Sequence, residues 1–137
     1  MEIVVMNRKD AVRYSYRPHN KKTAVISIAS PSYIYYNESI YKSPYNGITG
    51  VLKLWFDDVE SGSDCMEECH AEAIKRFLNA HSKETIIVHC DAGVSRSAGI
   101  AAALMKFYNG DDTPIFDNPK YCPNMLCYRT MLNKLME

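Results

Sequence analysis

The sequence has no excess of either charge: 16 Lys plus Arg balance 16 Asp plus Glu, for a formal net charge of zero. A nucleic-acid-binding surface carries a basic excess, so no nucleic-acid partner is expected, although a small positive site stays open. There is no apolar run near the roughly 20 residues that a membrane helix needs, so no membrane association is expected. The N-terminal residues Met1-Glu2-Ile3-Val4-Val5-Met6-Asn7-Arg8 lack a charged region ahead of a long apolar core, and no secretory signal is read there. The five cysteines, Cys65, Cys69, Cys90, Cys122 and Cys127, are odd in number and follow no signal, which places the chain in a reducing, cytoplasmic setting with free thiols. No paired Cys/His set stands at zinc-ligand spacing. Cys65, Cys69 and the adjacent His70 come nearest, and partly buried helix cysteines are the simpler reading, so no metal or cofactor is expected. Repeats, low-complexity tracts and linkers are also missing, and 137 residues suit one domain spanning 1–137.

What is present is an alternation of apolar strands and amphipathic helices. Ile3-Val4-Val5-Met6 reads as a short strand, with Asn7 capping a brief helix to about Arg13. Thr23 to Ala29 is β-branched and apolar, a buried strand ended by Ser30-Pro31. Residues 32–46 form a long tyrosine-bearing stretch with Tyr33, Tyr35, Tyr36, Tyr41 and Tyr45. It is either a site rim or a cover over the edge of the core. Val51 to Phe56 is a third strand, followed by a polar loop over 57–63. Asp64, with Glu67 three residues on, predicts a capping box opening a helix to about Ala80, with Met66, His70, Ile74, Phe77 and Leu78 on one face. Thr85 to His89 is apolar enough for a central strand buried on both faces. An alanine-rich helix over 97–107 ends at Asn109-Gly110, residues 111–121 read as a loop, and Pro123 opens a last helix to about Met136. Strands alternating with helices predict an α/β fold: a central, mostly parallel sheet of four or five strands flanked by helices.

The chemistry is concentrated in Val88-His89-Cys90-Asp91-Ala92-Gly93-Val94-Ser95-Arg96-Ser97, between a buried strand and a helix start. Unpaired N–H groups and the macrodipole make a helix N-terminus an anion site. Gly93 lets the backbone curl, so that the N–H groups of Asp91, Ala92, Gly93, Val94, Ser95 and Arg96 converge on one anion. Arg96 adds a planar fork suited to two phosphoryl oxygens. The same field favours thiolate at Cys90, a nucleophile aimed at phosphorus. Ser97 can donate to the sulfur and ease its later departure, and His89 can hold the loop or tune the thiolate. A leaving alkoxide or phenolate needs a proton. Asp57 and Asp58 follow the third strand, and loops at strand C-termini share one edge of a parallel sheet, so either can supply it. Nothing in this scheme requires a metal.

His89-Cys90, Gly93, Arg96 and Ser97 match the HC-x-x-G-x-x-R-[ST] signature, and the chain resembles the protein tyrosine phosphatase superfamily, most of all its dual-specificity branch. The short chain is similar to small bacterial or prophage-type members. The resemblance implies a phosphatase-like fold, a phosphocysteine intermediate and a phosphoprotein or phosphopeptide substrate. Phe56-Asp57-Asp58 resembles the acid loop of the phosphatases of regenerating liver, which implies Asp58 as the acid, with Asp57 the alternative. There is no Trp-Pro-Asp, no Lys-Asn-Arg-Tyr loop and no glutamine after Cys90, and a shallower pocket open to phosphoserine and phosphothreonine as well as phosphotyrosine follows. Three other readings compete. A phosphoinositide or RNA 5′-phosphatase would bring basic residues into the loop. A non-catalytic phosphate-binding module would lose Cys90 or the acid. A rhodanese-like sulfur-transfer loop would lack the Arg96-Ser97 pair entering a helix.

Overall fold

In the computed structural model, which describes residues 1–32 and 47–137, four strands form one all-parallel sheet in the order β1-β4-β2-β3. They are β1 (Glu2–Met6), β2 (Thr23–Ala29), β3 (Ile48–Trp55) and β4 (Thr85–His89). The two central strands, β2 and β4, are buried at every position, as their unbroken apolar runs require. The helices are α1 (Arg8–Ser15), α2 (Glu68–Ala80), α3 (Arg96–Asn109), α4 (Thr113–Phe116) and α5 (Met125–Leu135). The expectation for the tyrosine-bearing stretch falls on residues 33–46, outside the described residues. Among the described residues no helix is long and apolar enough to cross a membrane.

The alternation of β2 divides the interior. Ala24, Ile26 and Ile28 face the larger core with α2, α3 and α5, while Val25 joins Ala11 of α1 and Ile87 of β4 in a smaller cluster. Helix α3 is buried from Arg96 to Met105. Its alanines keep it thin enough for α5 to pack closely. A Cβ added at Gly99 would lie 2.4 Å from the Asn124 carbonyl oxygen, so Gly99 lets the start of α5 reach the N-terminal turn of α3.

Helix starts differ from expectation in two places. Asp64 does not cap α2. It adopts φ 60° and its carbonyl accepts from the Asp57 N–H at 2.6 Å, closing a turn ahead of the helix. The helix starts four residues later, at Glu68, where His70 Nδ1 accepts from the Glu67 N–H at 2.9 Å. Met66 is buried, but from the loop rather than the helix face. Similarly, Pro123 stays outside α5, and Asn124 is the cap, its side-chain oxygen accepting from the Cys127 N–H at 3.1 Å. Residues 111–121 are not all loop: Thr113–Phe116 makes one helical turn with Pro114 in its first positions, where its missing N–H costs nothing. Helix α3 ends as expected at Gly110, φ 72°, whose N–H donates to the Lys106 carbonyl at 3.0 Å.

Candidate active site

All four strands end at one edge of the sheet, and their C-terminal connections meet there: residues 6–8 after β1, Ser30 after β2, residues 56–60 after β3 and residues 90–95 after β4. The loop after β4 curls at Gly93. Its φ is 68°, and an added Cβ would sit 2.7 Å from the Asn7 nitrogen and 2.9 Å from the Met6 oxygen. Only glycine satisfies both the dihedral and the close approach to the β1–α1 corner.

Cys90 is 2% exposed at the base of the loop, with its Sγ 3.0 Å from Ser97 Oγ in a buried hydrogen bond. Arg96 is the first residue of α3 and 6% exposed. Its Nη1 donates to the Phe56 carbonyl at 2.8 Å and to Ser30 Oγ at 3.1 Å, which fixes the plane of the guanidinium. Its Nη2 reaches Asp91 Oδ2 at 3.3 Å, and its buried Nε has no acceptor among the described residues. A buried charged donor without an acceptor is costly. An oxyanion at this loop is the partner that would satisfy it.

Asp58, rather than Asp57, is bonded to the loop. Its Oδ1 accepts from Ser95 Oγ at 2.7 Å and from Asn124 Nδ2 at 3.0 Å. Asn124 Nδ2 also donates to the Val59 carbonyl at 3.1 Å, and the Asn124 N–H donates to the Ser95 carbonyl at 3.0 Å. The Cys122 N–H donates to the Val94 carbonyl at 3.0 Å, so the chain before α5 forms a belt against the loop. A cleft of about 340 Å3 opens beside it, lined by Asp58, Val59, Glu60, Ser95, Cys122, Pro123 and Asn124.

His89 is fully buried, and desolvation, helped by the nearby Arg8 charge, lowers its pKa to about 4. It is therefore a neutral imidazole at physiological pH, suited to holding the loop rather than carrying charge. Cys127, buried beneath the site, has its thiol pushed up to about 12 by burial and by Asp58. It stays protonated and does not compete with Cys90. His70 lends its ring nitrogen to the start of α2, and among the described residues no cluster of His, Cys, Asp or Glu is arranged to hold a metal ion.

The structure thus brings His89, Cys90, Asp91, Ala92, Gly93, Val94, Ser95, Arg96, Ser97 and Asp58 to one place, and leaves Asp57 joined through its backbone to Asp64. Sequence reasoning missed three residues. Ser30 orients Arg96, Asn124 ties Asp58 to α5, and Arg8 grips Asp91 by Nε at 3.0 Å and Nη2 at 2.7 Å. Asn124 was within reach, since an asparagine beside a proline before an apolar-periodic run is a helix-start signal.

No family model matches the chain, and no curated protein matches it in sequence. Solved structures do match. The Cydia pomonella PTP-2 phosphatase is 18% identical, with a TM-score of 0.63 and coverage of 97% of this chain and 85% of that one. Human DUSP28 is 15% identical, with a TM-score of 0.60 and coverage of 98% and 91%. A mouse putative dual-specificity phosphatase, solved with zinc tungstate, is 16% identical, with a TM-score of 0.60 and coverage of 98% and 82%. The parallel sheet and its flanking helices are therefore the fold of the tyrosine and dual-specificity phosphatases.

Proposed function

We propose that the chain hydrolyses phosphate monoesters on proteins, at phosphotyrosine and also at phosphoserine and phosphothreonine, through a phosphocysteine intermediate. The observation that carries this reading is Cys90 Sγ bonded to Ser97 Oγ at the base of a loop whose arginine keeps a buried, unpartnered Nε. The Cys90 thiolate attacks phosphorus while Arg96 and the loop amides hold the non-bridging oxygens. As the ester P–O bond breaks, the protonated Asp58 carboxyl gives its proton to the departing oxygen. Asp58, now ionised, takes a proton from water, the water oxygen bonds to phosphorus, and the P–S bond breaks. Ser97 donates to the departing sulfur. The phosphate leaves, and Asp58 is again protonated for the next cycle.

The cleft beside Asp58 supports a protein substrate. It carries the carboxylates of Asp58 and Glu60 and no cationic side chain, a poor seat for a polyanionic inositol headgroup or an RNA backbone. The tungstate bound to the mouse neighbour is a tetrahedral oxyanion of the shape this loop would hold. The test is hydrolysis of para-nitrophenyl phosphate and of a panel of phosphoserine, phosphothreonine and phosphotyrosine peptides beside phosphoinositides. Wild type is expected to turn over the aryl phosphate and the peptides. Cys90→Ser should lose turnover yet still bind vanadate. Full activity in Cys90→Ser would sink the mechanism, and a preference for phosphoinositides would sink the substrate class.

A further inference from the structure

The register of the sheet sets an arginine against the residue that follows the nucleophile. Met6 at the end of β1 pairs with His89 at the end of β4, so two residues on, Arg8 is level with Asp91. The ladder continues into the loop, where the Arg8 N–H donates to the Asp91 carbonyl at 3.2 Å. Above it the side chains meet. Arg8 presents two fork nitrogens to Asp91 Oδ1, at 2.7 and 3.0 Å, while Asp91 Oδ2 makes only one longer contact, 3.3 Å, to Arg96 Nη2. The carboxylate therefore stands between two guanidiniums and is held by the one outside the phosphate loop. This asymmetry matters because a bound phosphoryl group needs donors of Arg96. Arg96 has Nη1 committed to Phe56 and Ser30, which leaves Nε and Nη2 for substrate. An aspartate free to settle on Nη2 would act as an internal competitor for that donor.

We propose that Arg8 is a positioning residue that keeps Asp91 from occupying Arg96, so that the phosphate-binding face of Arg96 yields to substrate. The proposal rests on the phosphate-loop reading above. Arg8 is charge-matched to Asp91 and has its fork in contact, so Asp91 can release Arg96 without losing its own counter-charge. Without Arg8, the only guanidinium bonded to Asp91 is Arg96, and every phosphoryl group must displace it.

The experiment is a double-mutant cycle on the full chain, reading the competitive Ki of inorganic phosphate together with KM and kcat for para-nitrophenyl phosphate. Arg8→Gln is expected to raise Ki and KM together by about fivefold, the scale of a partly exposed ion pair, with a smaller change in kcat. Losing a nearby positive charge would weaken phosphate binding even if Asp91 played no part, so the deciding quantity is the coupling. Asp91→Asn should lower Ki at least about threefold more in the Arg8→Gln background than in the wild-type background. An equal factor in both backgrounds overturns the proposal and leaves Arg8 a simple attracting charge. Should Arg8→Gln fail to fold, Arg8→Lys closes the cycle, since it keeps the charge and loses the fork. A coupling of the same sign and smaller size is then expected, and none would overturn the proposal. Wild type with no measurable Ki for phosphate would instead overturn the phosphate-loop reading itself, so the two failures are distinguishable.

Discussion

Replacing Asn124 separates two roles that one side chain performs. Its oxygen caps α5 through the Cys127 N–H, and its Nδ2 holds Asp58 at 3.0 Å and the Val59 carbonyl at 3.1 Å. Asn124→Ala removes both. Loss of the cap costs about 1 kcal/mol, and loss of two Nδ2 hydrogen bonds, one of them to a carboxylate, about 2–4 kcal/mol. Asn124→Ser keeps a capping oxygen but has no nitrogen to reach Asp58. The serine variant should therefore melt above the alanine variant by roughly 4 °C, the shift expected for about 1 kcal/mol in a chain of this size. Kinetically the two variants should behave alike. An acid that is no longer aimed matters most when the leaving group is basic, and general acid catalysis is worth roughly 100-fold to 10,000-fold in all. Both variants should lose about 10- to 100-fold in kcat on phenyl phosphate, a fraction of that full effect. They should lose much less on a fluorinated or nitrated aryl phosphate, whose leaving group departs without a proton. Differential scanning fluorimetry and a leaving-group series measure the two effects separately. An equal loss across the leaving-group series would refute the positioning argument and reduce Asn124 to a cap. So would a kinetic difference between the variants that follows their stability.

Three further expectations come from the same geometry. Asp58→Asn should slow phenyl phosphate by about 100-fold or more while Asp57→Asn changes it by less than about threefold, because only Asp58 is bonded to the loop; the reverse order, in steady-state rates, would transfer the acid to Asp57. Gly93→Ala meets a positive φ and the Met6–Asn7 backbone together, and should lower the melting temperature by roughly 10 °C and abolish vanadate binding by titration. His89 has its folded pKa depressed to about 4 from 6.5, so its contribution to stability is whole above pH 6.5 and is lost as the pH falls towards 4, where the unfolded chain binds a proton that the folded chain refuses. The loss amounts to about 3 kcal/mol, and urea titrations at pH 7 and pH 4.5 should show most of it beyond the shared carboxylate background, with His89→Asn lacking that share.

The nucleophile loop was legible because its signals are local. An unbroken apolar strand, a glycine and an arginine entering an alanine-rich helix all fall within 85–103, and the structure joins them as read. The all-parallel sheet was legible for the same reason, since each strand is followed by a helical pattern. What escaped depends on pairings distant in sequence. Arg8 meets Asp91 across 83 positions and Asn124 meets Asp58 across 66, and neither contact exists until β1 is known to lie beside β4 and α5 beside α3. The misplaced start of α2 has a different cause. Asp64 and Glu67 stand at capping-box spacing, but Asp64 is taken by the turn that returns its carbonyl to Asp57. Closing the acid loop overrides the local preference for a cap.

That closure explains why the acid follows the edge strand β3 yet need not be mobile. The backbone at Asp57 is tied to Asp64, the carboxylate of Asp58 to Ser95, the carbonyl of Val59 to Asn124 and the carboxylate of Glu60 to the Met125 N–H at 3.0 Å. Four successive residues each have a fixed partner, two of them on the belt and helix that also support the nucleophile loop. Ser95 is the residue before Arg96, so a shift of the loop that re-aims the guanidinium also moves the hydroxyl that holds the acid. Nucleophile, phosphate clamp and acid are therefore set by one packing unit. The Phe56 carbonyl that fixes Arg96 lies two residues before Asp58, so the restraint runs in both directions between the acid loop and the arginine. Perturbing either loop should change phosphate binding and acid catalysis together, whereas a substitution on the Arg8 side should change binding with a smaller change in turnover.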